Sequence, residues 1–89
     1  MVRGVGGGVT VEVRVELKPG VVDAEAESVE KSLGLLGIEH VRHVRTARVY
    51  ALEFEGVSDR TATHLAEEAV DRLLANPVIH RVTLTPRPA

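Results

Sequence analysis

Val9, Val11, Val13, Val15 and Leu17 alternate without a break with Thr10, Glu12, Arg14, Glu16 and Lys18. This period-two pattern predicts a strand with one apolar and one charged face. Pro19-Gly20 ends it, because both residues favour a turn over a ladder. The spacing then becomes helical. Val22, Ala26, Val29, Leu33 and Leu36 fall on one stripe. Asp23 suits the N-cap, Glu25 and Glu27 sit near the positive end of the helix dipole, and Gly37 is a natural stop.

Residues 41–55 read as a second extended region, with Tyr50, Leu52 and Phe54 on one face and Val49 and Ala51 on the other. The region is long for one strand, so a bend or break is expected near Thr46-Ala47. Gly56 closes it, and Ser58 or Asp59 can cap a second helix. Ala62, Leu65, Ala66, Ala69, Val70 and Leu73 form its stripe, with Glu68 and Arg72 paired on the wet side. Asn76-Pro77 stops this helix: Pro77 lacks the amide proton, and the residue before a proline is driven out of the helical region. A last strand is expected over 78–85, with His80 among Val78, Val82 and Leu84, and Pro86 and Pro88 ending regular structure.

This order predicts an α/β fold, more narrowly an α+β two-layer sandwich. It has three to four mostly antiparallel strands with two helices on one face, ferredoxin-like in order. Residues 1–8, with Gly4 and Gly6-Gly7-Gly8, read as a flexible tail, 9–85 as one domain and 86–89 as a C-terminal tail.

A chain of 89 residues holds one domain and buries a modest fraction of its surface, so it needs a supplement to its core. It has no cysteine, which removes disulfides and thiolate metal sites and leaves oligomerisation. The net charge is −2, from 13 acidic and 11 basic residues. That balance argues against a nucleic-acid footprint. Tyr50 and Phe54 are the only aromatics, too few for a base-stacking platform. No apolar stretch approaches membrane-spanning length, and the first residues do not read as a signal peptide. A cytoplasmic protein is expected.

The polar residues do not assemble into a recognisable catalytic set. His40 and His43 flank a loop-to-strand transition, while His64 and His80 lie on different elements, so no metal-ligand spacing emerges. No serine or threonine sits in a nucleophile elbow, and no phosphate loop follows the glycines. A domain this thin leaves little room for an enzyme-sized pocket. Arg42, Arg45 and Arg48 recur every third residue, either as a solvated strand or as a contact for an acidic partner.

Three stretches resemble the PurS family, the small subunit of phosphoribosylformylglycinamidine synthase. They are Val11 to Asp23 with its Lys18-Pro19-Gly20 turn, Val44-Arg45-Thr46-Ala47-Arg48-Val49, and Leu73-Leu74-Ala75-Asn76-Pro77-Val78-Ile79. Order and spacing match from about Val9 to Leu84. The chain departs from the family at Ala24 and Ala26, where proline and glycine are common, and at Ala47-Arg48, where Gly-Lys is usual. The resemblance implies a subunit with no catalytic, cofactor-binding or metal-binding residues of its own. It implies oligomers of the chain, a dimer or tetramer, and a complex with a synthetase (PurL-like) and a glutaminase (PurQ-like) subunit. ATP and Mg would sit on the synthetase. That complex converts formylglycinamide ribonucleotide, glutamine and ATP to formylglycinamidine ribonucleotide, glutamate, ADP and phosphate. The small subunit would bridge the other two and aid ammonia transfer. Lys18, Pro19, Gly20, Arg45, Arg48, Asn76 and Pro77 are the candidate partner-interface residues. The alternative is an ACT-like ligand-sensing regulatory module, which shares the small sandwich.

Overall fold

In the computed structural model, which describes residues 8–88, the alternating segment forms β1, Gly8–Leu17. It is the central strand. β2, Ala47–Glu55, pairs antiparallel on one side, and β3, His80–Pro88, pairs antiparallel on the other. The register sets Val9, Val11, Val13 and Val15 between Phe54, Leu52, Tyr50 and Arg48 on β2 and Pro88, Pro86, Leu84 and Val82 on β3. Side chains alternate across a strand, so these positions share one face, where Val11 and Val13 are fully buried. The other face is a charged lattice. Arg81 and Arg14 reach Glu16 at 2.8 and 2.9 Å, and Arg87 reaches Glu12 at 2.9 Å.

Two α-helices, α1 (Ala24–Leu35) and α2 (Asp59–Ala69), complete the order β1-α1-β2-α2-β3. The α+β class holds, with three antiparallel strands. Ser58 caps α2, its hydroxyl accepting from the Thr61 amide at 3.1 Å. Ala62 and Ala66 are fully buried on the apolar face over β1 and β3. Alanine at both positions lets the helix approach the valines closely. Past Ala69 the chain widens into a π-helical turn, Val70–Leu74, in which the Ala75 amide donates to Val70 O at 3.2 Å. The extra residue in the turn shifts the stripe. Leu74 and Ala75 pack on the core, and Leu73, expected inside, is 81 % exposed.

Two boundaries differ from expectation. The last strand begins at His80 because Asn76 gathers the preceding residues into a turn. It also continues through Pro86 and Pro88, paired with Val11 and Val9. An edge strand supplies ladder amides from alternate residues only, so proline is tolerated there, and the expected tail from 86 is strand up to Pro88. Of the glycine-rich segment 1–8, Gly8 opens β1 and the rest lies outside the described residues.

The second difference concerns α1. The Asp23 carboxylate caps it at 2.9 Å from the Ala26 amide. It ends in paired bonds from Ile38 to Leu33 O and from Gly37 to Gly34 O, with Gly37 at φ +77°, a left-handed conformation that glycine adopts freely. Residues 38–46 return along the helix as a strap. Glu30 accepts from the Val44 amide at 2.8 Å, and Asp23 accepts from the Thr46 amide and hydroxyl at 3.2 and 2.8 Å. The break near Thr46-Ala47 is therefore where β2 starts. Both helices were expected on the sheet, but only α2 packs there; α1 makes at most marginal contact with the strands. Its turn and strap tie it beyond the end of the β1–β2 ribbon.

Candidate partner-docking site

The two turns that carry the sequence signatures meet. Lys18 leaves β1 with its amide donating to Ile79 O at 2.8 Å, and its ammonium donates to Pro77 O at 2.7 Å. Gly20, at φ +89°, allows the Val21 amide to close back on Lys18 O at 3.1 Å. Opposite, Asn76 organises its turn from three sides. Its Oδ1 accepts from the Val78 amide at 2.9 Å, its carbonyl accepts from Ile79 and His80, and its amide donates to His80 Nδ1 at 2.9 Å. A short amide side chain bonding two residues ahead is what makes asparagine a turn former. Lys18, Pro19, Gly20, Asn76 and Pro77 thus form one exposed knob at the end of the sheet.

His80 belongs to this knob. It lies on the apolar side of β3, and its ring accepts from the Asn76 amide. Accepting at Nδ1 places the ring proton on Nε2. Arg45 and Arg48 lie apart from the knob. Arg45 is on the strap, facing an open groove of about 470 Å³ shared with Lys18, Pro19, Gly20 and Arg81. Arg48, the second residue of β2, lies on the apolar face, where the Tyr50 hydroxyl and, further off, Glu25 favour its charged form. It borders a second groove of about 420 Å³ with Tyr50, Leu74 and His80. Both grooves are larger than a thin sandwich suggests, because the arm formed by α1 and the strap creates a re-entrant corner with the sheet.

The electrostatics are structural. Asp23 is held below the usual carboxylate range, first by the Ala26 amide, then by the Thr46 hydroxyl and amide, with a smaller contribution from the charge of His43. Glu16 is lowered to about 2, chiefly by its hydrogen bond from Arg81 and then by that from Arg14. Sequence reading found Asp23 as a cap but missed Thr46, its second client, since nothing local links residues so far apart. Among the described residues, no three of His, Asp and Glu converge on a metal-sized site. No helix there is long and apolar enough to cross a membrane. The polar groups of the knob are spent on one another, which suits presenting a fixed shape rather than moving a proton.

Residues 10–87 match the PurS family, described as phosphoribosylformylglycinamidine (FGAM) synthase. The PurS subunit of phosphoribosylformylglycinamidine synthase from Archaeoglobus fulgidus is 40% identical over 73 residues, 82% of this chain and 91% of that protein. Among solved structures, Methanocaldococcus jannaschii PurS, a subunit of formylglycinamide ribonucleotide amidotransferase, superimposes with a TM-score of 0.82 at 27% identity. The match covers 91% of this chain and 98% of that one. A chain of Thermotoga maritima PurLQS gives a TM-score of 0.81 at 22% identity, covering 90% and 98%; at that identity the likeness is one of fold.

Proposed function

Because this chain belongs to the PurS family and is a subunit of phosphoribosylformylglycinamidine synthase in purine biosynthesis, we propose that it is the non-catalytic bridge of that complex in the cytoplasm. Its partners are a synthetase (PurL-like) and a glutaminase (PurQ-like) subunit, a reading supported by the Thermotoga maritima PurLQS structure. The glutaminase releases ammonia from glutamine. The synthetase binds ATP and Mg and uses the ammonia to replace the activated amide oxygen of formylglycinamide ribonucleotide. This chain holds the two in register and aids the transfer. It carries no cofactor.

One observation carries the reading. The signature turns meet as one exposed knob: Lys18 fastens one turn to the other at Pro77 O and Ile79 O, and Asn76 braces its own turn through the Val78 amide. A preorganised turn lowers the ordering cost of association. Arg45, outside the knob, adds a cationic contact that suits a carboxylate on a partner. Nothing observed favours the ACT-like reading. The test is co-purification with synthetase and glutaminase from the same source, wild type beside Asn76→Ala. Wild type is expected to recover both subunits. The variant is expected to weaken recovery by at least about tenfold, a loss of roughly 1.4 kcal/mol, with a smaller effect on its melting temperature. Intact recovery with lowered stability would make the knob a folding device only.

A further inference from the structure

His80 and Asn76 hold each other by two reciprocal bonds. The His80 amide donates to Asn76 O at 2.8 Å, and the Asn76 amide donates back to His80 Nδ1 at 2.9 Å. Together they close the turn 76–80. The same turn carries Pro77, whose carbonyl receives the Lys18 ammonium at 2.7 Å. One ring nitrogen therefore helps hold both halves of the knob. The ring is half-buried, open enough to exchange protons with water.

That bond suits one protonation state only. A neutral imidazole has one acceptor nitrogen, and here it faces an N–H; a protonated ring has two donors and no acceptor. Proton uptake would set two N–H groups against each other at this contact. The other histidines are placed differently. His40, His43 and His64 each lie within 4.0 Å of a glutamate, so a proton adds attraction there. Among the described residues, His80 forms no such pair. The groove that its ring borders brings Glu16 from β1, Arg48 and Tyr50 from β2, and Asp23 and Glu25 from the start of α1; the π-helical turn contributes Leu74 and no charge. Glu16 is held by Arg81 and Arg14, Asp23 by the Ala26 amide and Thr46, and Glu25 favours the charge of Arg48. Lys18, beyond the groove, is a further cation. No carboxylate around the ring is left to compensate a charge on it.

We propose that His80 is a proton latch on the knob: with the ring neutral, the turn 76–80 is closed and docks its partner, and on protonation the turn opens and docking weakens. The closed turn binds fewer protons than the open one, so acid favours opening. The ring moves no proton in the reaction of the complex; it takes one up from water. An ordinary imidazole is about one-tenth protonated at pH 7.5 and about nine-tenths at pH 5.5, while ordinary carboxylates stay mostly ionised. This control rests on the knob being the docking surface and adds what regulates it.

Hydrogen exchange at the Asn76 amide of the full chain, corrected for the intrinsic pH dependence of exchange, reads the latch directly. Protection is expected to fall at least about fivefold from pH 7.5 to 5.5. His80→Asn keeps an acceptor near the Nδ1 position but takes up no proton, so its protection should hold within about twofold. Affinity for synthetase and glutaminase should fall at least about threefold more in wild type than in His80→Asn over the same range. Undiminished protection in wild type, or an equal fall in the variant, would overturn the latch. The wild-type series decides this even if the variant fails to fold. Lost protection with no difference in affinity would overturn the control of docking, and would fault the knob as the docking surface rather than the histidine.

Discussion

Glu16 shows how single residues of this chain work. It accepts from Arg81 and Arg14 on the open face of the sheet, tying β3 to β1. Its carboxyl is lowered from 4.5 to about 2 in the folded chain. A group depressed on folding contributes fully above its unfolded value, and the contribution disappears as pH falls through the folded one. Acid unfolding should therefore steepen between pH 4.5 and 2 in wild type and be flatter in Glu16→Gln, with added salt shrinking the difference. Equal pH profiles for the two proteins would show that the lattice contributes nothing. The sequence displayed this face as plain alternation, but which arginine meets which glutamate depends on strand register, and register is a tertiary fact.

Elements whose signals are local were legible. The β1 alternation, the Asp23 and Ser58 caps, the Gly37 stop and the Asn76-Pro77 junction all stand where the residues placed them. What escaped were features decided by distant neighbours. The strap follows from Asp23 and Glu30 bonding backbone at Thr46 and Val44. The prolines of β3 are tolerated because β3 is an edge. The π-helical turn follows no propensity; it brings Leu74 and Ala75 onto the core beside β1. That turn makes a sharp expectation. Leu74→Ala should cost about 2 kcal/mol, from the lower part of the range for losing buried leucine atoms. Leu73→Ala should stay within about 0.5 kcal/mol, as for an exposed position. Urea titration of both decides it, and the reverse order would put the stripe back on an uninterrupted α-helix. The knob was half legible: both turns were singled out, but their contact through Lys18 and Pro77 O was not.

At the scale of the whole molecule, the chain is a part made to be assembled. Among the described residues, seven small hydrophobic ones make its buried core, and its signature turns face outward. Family membership gives the larger assembly. That role needs neither a nucleophile nor a phosphate loop on this chain. The most direct test is a reconstituted assay of formylglycinamidine ribonucleotide synthesis with synthetase and glutaminase, run with and without this chain and fed either glutamine or free ammonia. Omission should abolish most glutamine-dependent synthesis while ammonia-dependent synthesis by the synthetase persists. Undiminished glutamine-dependent turnover in its absence would contradict the bridging role.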